Sequence, residues 1–229
     1  SWVVFDVKVI LLVLRKLEKP DYIIASSPSL LTFLSGLALS KLLKAKLVLE
    51  VRDIWPLTGV EEFFYSRANP LVRVAAAIEK FGYRHCDGIV GLMPGIENHV
   101  RSRGIKRTPV TAVGLGIDST DVPEPPPAPA RVDNDPLRIL YAGSIGKSNA
   151  MTTFFQAAEA LKDDTRFVFS VAGTGDLEPH YRKRYSGLAN LVFLGEVPKD
   201  EAAALMKSSD ILYFSSRATK VSEYGQSLN

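Results

Sequence analysis

The chain has 229 residues, 46% of them hydrophobic and 23% charged, and its formal net charge is +3. This is the composition of a globular protein with one large domain or two small ones. The single cysteine, Cys86, excludes an internal disulfide and a cysteine-rich metal cluster, and it fits a reducing compartment. The three histidines lack the spacing of a zinc site, so we expect no metal.

The apolar run at the start of the chain, residues 2–14, is interrupted by Asp6 and Lys8. It is too short for a membrane span and lacks the small-residue cleavage site of a signal peptide, so it predicts a buried helix. Residue 1 is a serine, and residues 225–229 do not complete an element. We therefore expect the sequence to be a fragment of a longer protein.

Charge is distributed unevenly along the chain. Residues 1–118 carry 16 Lys and Arg against 11 Asp and Glu, a difference of +5, whereas residues 119–229 carry 12 against 14, a difference of −2. The basic half is either ordinary solvated surface or a surface that faces an anionic membrane or a phosphorylated acceptor. Its densest basic cluster, residues 101–107, has no interleaved aromatic side chains, so we expect no nucleic-acid partner.

The first half alternates helices and strands. The pattern predicts helices over 3–17, 30–43, 70–83 and 94–102 and strands over 21–25, 46–51, 87–91 and 109–113. Asn69 followed by Pro70 is an N-cap with proline at the first helical position. The loops at 26–28, 52–59, 91–95 and 114–118 follow the predicted strands.

A proline-rich segment separates the two halves. Six of the fourteen prolines fall within residues 118–136, which predicts an extended interdomain linker over 119–136. The second half then predicts strands over 137–142, 166–172, 190–194 and 210–214 and helices over 150–162, 177–185 and 201–207, the last capped by Asp200.

Short apolar strands that alternate with helices predict parallel sheets covered on both faces. We therefore expect an α/β protein with two Rossmann-like, doubly wound domains, over 1–118 and 137–229. In such sheets, ligands bind outside the carboxyl ends of the strands. If the two domains face each other, the loops at these ends line one cleft.

The loop that follows the strand at 137–142 has the sequence GSIGKSN, residues 143–149. Two glycines, a lysine and a helix start form a pattern that binds anions, because free N–H groups and the helix dipole favour negative charge. The loop is either a cradle for a diphosphate or a turn that lets strand and helix pack closely. It matches neither a Walker A nor a GxGxxG pattern.

Two further loops carry unusual residue combinations. Residues 173–176, GTGD, either bring backbone close to a ligand or form a tight turn capped by Asp176. Residues 52–56, RDIWP, place Arg52 and Asp53 at a strand end. They are either a buried pair that supports the loop, or an acceptor site in which Asp53 orients or deprotonates a hydroxyl. Trp55 is either a platform for a sugar or a packing residue.

Two sites are interpreted as structural. His85 and Cys86 beside Asp87 resemble the surroundings of a nucleophile, but they fall at a helix end before a strand. His99 lies on a helix among basic residues, so we expect it at the surface.

The combined pattern resembles the retaining glycosyltransferases of family 4, which have the two-domain GT-B fold. The resemblance is greatest to the bacterial surface-polysaccharide branch, which includes fucosamine-type transferases. It rests on segments in the family's order: KPDYIIASSP at 19–28, EVRDIWP at 50–56, VGLGID at 113–118, YAGSIGK at 141–147 and FLGEVPK at 193–199.

The resemblance implies a nucleotide-sugar donor in the second domain, an acceptor in the first, and neither a metal nor another cofactor. It implies donor-binding roles for Gly143, Ser144, Gly146, Lys147, Asn149, Gly173, Gly175, Val197 and Glu223, and catalytic roles for Asp53 and Arg52. Ser144 and Asn149 stand where many members have arginine and lysine. Arg52 stands where many members have histidine.

We therefore predict a transferase that moves a sugar from a nucleotide-diphosphate sugar to a lipid-linked or saccharide acceptor in polysaccharide synthesis. We expect a cytoplasmic location with peripheral contact between the basic half and the inner face of the membrane. An isomerase similar to the sugar-nucleotide 2-epimerases, or a two-domain binding protein without activity, are the alternatives.

Overall fold

The computed structural model describes residues 2–16, 19–27, 29–114, 116 and 135–225. Its residues form two compact units, one within 1–119 together with 218–229 and the other within 120–217. The predicted linker lies outside the described residues except for its last two, 135 and 136.

The first unit is a four-stranded sheet covered by helices. Its elements are α1 (Trp2–Lys16), β1 (Tyr22–Ser26), α2 (Leu31–Leu43), β2 (Lys46–Val51), α3 (Leu57–Glu61), α4 (Pro70–His85), β3 (Gly88–Gly91), α5 (Ile96–Ser102) and β4 (Val110–Ala112). The strands pair in the order β1-β2-β3-β4, all parallel. No helix in the described part of the chain combines the length and the apolar character needed to cross a bilayer.

The core of the first unit forms because the inward side chains of β2 pack against the flanking helices. Leu47 and Leu49 are fully buried and contact a cluster that includes Phe33 of α2 and Ile96 of α5. Helix α4 begins as predicted, since the Asn69 side chain accepts a hydrogen bond from the Leu71 N–H at 2.9 Å.

The second unit has the same architecture. Its elements are β5 (Leu137–Ala142), α6 (Thr152–Ala160), β6 (Phe167–Ala172), α7 (Glu178–Tyr185), β7 (Leu191–Gly195), α8 (Lys199–Ser208) and β8 (Ile211–Leu212). The sheet order is β7-β6-β5-β8, again all parallel. Stacked and edge-on aromatic rings fill the core, with Phe154 and Phe155 of α6 at its centre. The predicted α/β class with two parallel sheets is thus confirmed.

The last described segment returns to the first unit, where it forms the short helix α9 (Lys220–Glu223). Thr219 caps this helix through Ser222, and Val221 is buried in the core of the first unit. The Gly95 N–H donates to the Tyr224 carbonyl oxygen at 2.6 Å. Residues 218–225 thus pack with the first unit, whereas the sequence had predicted them as part of the second domain.

Three predicted helix starts are wrong by two residues, and the first is that of α5, which begins at Ile96 and not at residue 94. Helix α8 begins at Lys199, so Asp200 lies inside its first turn and does not cap it. Its carboxylate there still favours the helix electrostatically. Helix α6 begins at Thr152, because Ala150 has a left-handed conformation (φ 46°) that separates it from a 3₁₀ turn over Lys147–Asn149.

Candidate functional site

The two glycine loops of the second unit lie against each other at the carboxyl ends of β5 and β6. The Ile145 N–H donates to the Thr174 carbonyl at 2.9 Å, and the Leu177 N–H donates to the Ile145 carbonyl at 3.1 Å. Backbone hydrogen bonds therefore fix the position of one loop relative to the other. The structure thus brings together Gly143, Ser144, Gly146, Lys147, Asn149, Gly173 and Gly175 of the predicted donor-side residues.

Glycine is required at two positions by this close packing. A Cβ atom on Gly173, whose φ is +135°, would lie 1.9 Å from the Gly143 carbonyl oxygen. A Cβ atom on Gly175 would lie 2.5 Å from the Ile145 carbonyl oxygen. Contact between the loops accounts for both glycines, and it also keeps the loop surface free of side chains that would keep a ligand away from the backbone.

Lys147 provides positive charge beside this surface. Its side chain is exposed, and no carboxylate of the described residues lies within ion-pair distance of its ammonium. Within the same described part, the backbone N–H groups of Gly146 and Lys147 donate to no backbone carbonyl. Two amides and one ammonium are thus available to an anion.

Ser144 and Asn149 hold the shape of the loop. The Tyr141 hydroxyl donates to the Ser144 carbonyl at 2.6 Å, and the Asn149 side chain is hydrogen-bonded to the same tyrosine. Burial raises the pKa of Tyr141, and the Asn149 hydrogen bond partly opposes this rise. The Ser215 hydroxyl also donates to the Asn149 carbonyl. Asn149 therefore supports the turn from two sides.

Two predicted donor-side residues lie outside this cluster. Val197 is half-buried in the loop that follows β7. That loop is connected to the cluster through the Gly173 N–H, which donates to the Gly195 carbonyl at 2.6 Å. Glu223 is exposed on α9 and belongs to the first unit, so it is in a different unit from the other donor-side residues.

Arg52 and Asp53 follow β2 in the first unit. The Arg52 N–H donates to the Ser27 hydroxyl at 3.0 Å, which joins this loop to the end of β1. The Arg52 side chain is exposed and the Asp53 side chain is half-buried. Burial raises the pKa of Asp53, and the charge of Arg52 opposes that rise. A carboxylate whose pKa is raised in this way is a suitable proton acceptor for a hydroxyl.

We expect Asp53→Asn to stabilise the first unit at pH 7 relative to the wild type. The pKa of Asp53 is raised from its usual value of 3.8, so the folded state favours the protonated form. Its contribution to stability is present below the unfolded pKa and is lost as pH rises through the folded pKa. Urea unfolding followed by tryptophan fluorescence at pH 4 and pH 7 should show the larger gain at pH 7. Asp21→Asn, at an exposed carboxylate, is the control, and equal gains for both variants would refute the effect of burial.

Trp55 packs within an aromatic cluster of the first unit. Its ring stacks on Phe63 with centroids 6.1 Å apart, and a Cβ atom on Gly59 would lie 2.7 Å from the indole. This contact supports the packing interpretation of Trp55. The sequence did not predict α3, whose Gly59 makes that approach possible.

A buried polar cluster in the first unit was missed by the sequence reasoning. The Glu79 carboxylate is 1% exposed and accepts from His99 Nε2 at 2.6 Å and from the Tyr83 hydroxyl. Arg103 Nε lies 2.8 Å from Glu79 Oε2. Burial, with the charge of Glu79, raises the pKa of Tyr83. The prediction that His99 lies at the surface is therefore wrong. Glu79, a charged residue among the buried positions of α4, is the feature of the sequence that could have indicated a buried polar partner.

The structural interpretation of His85 and Cys86 agrees with their contacts. His85 Nδ1 lies 2.8 Å from the Phe81 carbonyl oxygen of the same helix. Burial raises the pKa of the Cys86 thiol to about 12, so little thiolate is present at neutral pH. Within the described residues, no group of three His, Cys, Asp or Glu side chains could hold a metal ion.

Two parallel α/β units, each with its loops at the carboxyl ends of the strands, define the class of proteins with the GT-B fold. Solved structures support this class. The outer-core lipopolysaccharide galactosyltransferase WaaB matches 92% of this chain and 54% of its own, with a TM-score of 0.60 and 14% identity. The Anabaena protein Alr3699/HepE, solved with UDP, matches 94% of this chain and 57% of its own, with a TM-score of 0.64 and 14% identity.

The chain belongs to the glycosyl transferase 4-like family, whose model matches residues 2–116. The model of the glycosyl transferases group 1 matches residues 136–228. A curated relative is the putative colanic acid biosynthesis glycosyl transferase WcaI of Escherichia coli K12, which is 25% identical over 204 residues, 84% of this chain and 50% of the relative. The chain thus spans about half the length of these proteins.

Proposed function

We propose that the chain is part of a retaining glycosyltransferase that moves a sugar from a nucleotide-diphosphate sugar to a lipid-linked or saccharide acceptor during cell-surface polysaccharide synthesis. The observation that carries the proposal is the exposed Lys147 side chain beside two amides that donate to no backbone carbonyl of the described residues, within the segment that the group 1 model matches. UDP in a structure of Alr3699/HepE and the colanic acid role of WcaI support the donor type and the pathway class.

In the proposed reaction, the diphosphate leaves as negative charge develops on it. The amides of Gly146 and Lys147 and the Lys147 ammonium stabilise that charge, and no metal or other cofactor is required. Gly143, Ser144, Asn149, Gly173 and Gly175 keep the backbone surface in place, and Val197 and Glu223 remain proposed donor contacts. Asp53 orients or deprotonates the acceptor hydroxyl, and Arg52 holds a phosphate or Asp53 itself.

We also propose that the protein acts in the cytoplasm at the inner face of the membrane. Helix α1 exposes the apolar side chains Val4, Phe5 and Leu12 beside Lys8, a combination that suits a surface of anionic lipid. Co-sedimentation with vesicles of anionic but not zwitterionic lipid is the expected result, and equal sedimentation with both would contradict the electrostatic part.

Lys147→Ala should weaken UDP binding by about tenfold and leave uridine binding unchanged, because the lysine is proposed to contact the diphosphate alone. Calorimetric titration of UDP, GDP and uridine measures both effects. Lys162→Ala, at an exposed lysine of the same unit, is the matched control.

Equal losses for UDP and uridine would remove Lys147 from the phosphate role. No binding of any nucleotide diphosphate would count against the proposed function as a whole. A donor that is converted without any acceptor would favour the isomerase, and binding without turnover would favour the binding protein.

A further inference from the structure

The first unit contains a cavity of about 300 Å³ beside α3, α4, α5 and α9. Its lining includes apolar side chains such as those of Leu57 and Val72. It also includes four cationic side chains: Arg67, Arg73, Arg103 and Lys220. Pro56, the last residue of the RDIWP loop, lines the cavity, but none of the residues assigned to catalysis or donor binding does.

Contacts with Glu79 and with the backbone of α4 fix the orientation of the Arg103 side chain. Its Nε lies 2.8 Å from the fully buried Glu79 carboxylate, and its Nη2 donates to the Ala76 carbonyl at 3.1 Å. The side chain is still 31% exposed, and a guanidinium has five N–H donors, so several remain for a ligand. Because Glu79 is held in turn by His99 and Tyr83, the guanidinium is placed by buried groups.

Arg73 and Lys220 are the two further cations that line the cavity. Arg73 and Lys220 are exposed, and no carboxylate of the described residues forms an ion pair with either. Arg67 pairs with Glu61 at 2.8 Å, and Glu79 balances Arg103. The cavity therefore keeps an excess of about two positive charges, which a concave low-dielectric wall concentrates.

We propose that this cavity binds the phosphate or diphosphate group of a phosphorylated acceptor. Arginine forks suit phosphate oxygens, and a doubly charged group matches the excess charge of the cavity. The volume admits such a head group, while apolar lining residues such as Leu57 and Val72 are available to the organic part next to it. The proposed binding of an anion depends only on these contacts. The proposal that this anion belongs to an acceptor rests on the proposed function.

Inorganic diphosphate tests the site. Arg73→Gln combined with Lys220→Gln should weaken its binding by tenfold or more in calorimetry, and should leave UDP binding unchanged. Lys41→Gln combined with Lys80→Gln removes the same charge from exposed positions outside the cavity and should change neither. All titrations are repeated with Lys147→Ala, so that diphosphate held at the donor loop is subtracted.

Protection against phenylglyoxal gives a second measurement that needs no variant. Inorganic diphosphate should slow modification of Arg73 and Arg103 in the wild type, as read by mass spectrometry. Unchanged modification rates would overturn the site. So would a double variant, Arg73→Gln with Lys220→Gln, whose binding of inorganic diphosphate is not weakened tenfold. If the wild type does not bind UDP but inorganic diphosphate still protects Arg73 and Arg103, the proposed function is refuted and the anion site is supported.

Two phosphate esters identify the source of the group. Tighter binding of farnesyl diphosphate than of inorganic diphosphate would assign a lipid-borne group, and tighter binding of glucose 1-phosphate would assign a saccharide-borne one. If neither ester binds more tightly than the inorganic ion, the acceptor role of the cavity is wrong.

Discussion

Replacement of Gly173 by alanine is expected to destabilise the second unit by at least about 3 kcal/mol. The new Cβ atom would lie 1.9 Å from the Gly143 carbonyl oxygen, and alanine rarely adopts a φ of +135°. Because the oxygen belongs to backbone that is hydrogen-bonded to Ala172, neither side can move without breaking the contact between the two loops. UDP binding should be lost with it.

The control is Gly187→Ala, because a Cβ atom there meets nothing within 4 Å. Both tryptophans, Trp2 and Trp55, lie in the first unit, so fluorescence does not report on this change. Hydrogen exchange of peptides from residues 137–217 does, and it should show faster exchange only for Gly173→Ala. Equal exchange in the two variants would show that the loops tolerate the added atom.

Glu79→Ala is expected to destabilise the first unit by about 3–5 kcal/mol, because it leaves Arg103 and His99 without their buried partner. The Tyr83 hydroxyl would lose its acceptor as well. Glu79→Gln should cost less, since the amide still accepts one hydrogen bond.

Urea unfolding followed by tryptophan fluorescence measures these losses, because both tryptophans lie in the first unit. The control is Glu97→Gln, which breaks the exposed Glu97–Arg101 pair, 2.9 Å apart, and should cost less than about 1 kcal/mol. A loss for Glu79→Ala as small as that of the control would mean that the buried cluster does not stabilise the unit.

The strands could be predicted because short apolar runs that alternate with helices are typical of buried strands in a parallel sheet. Residues 46–51 and 137–142 were predicted to the residue, and the Asn69–Pro70 start followed from local capping chemistry. The glycine loops were also predictable, because glycines directly after parallel strands allow a tight turn and a close approach of the backbone to its neighbours.

The remaining features depend on contacts between distant residues. An alanine gives no local sign of the left-handed conformation that Ala150 adopts. His99 is buried because Glu79, twenty residues earlier, is placed opposite it. Tyr141 and Asn149 support the donor loop through a hydrogen bond between their side chains, which forms only when the turn folds back on the strand. The spacing of the two residues in the sequence does not predict this bond.

The return of residues 218–225 to the first unit has a consequence for synthesis on the ribosome. The first unit is assembled from two separate stretches of chain, and the second unit is translated between them. Val221 and Tyr224, which complete its core, leave the ribosome only after residues 120–217. The core of the nascent first unit therefore lacks the side chains of Val221 and Tyr224 while the second unit is translated. A chaperone that binds during that interval would contact the surface that α9 later covers.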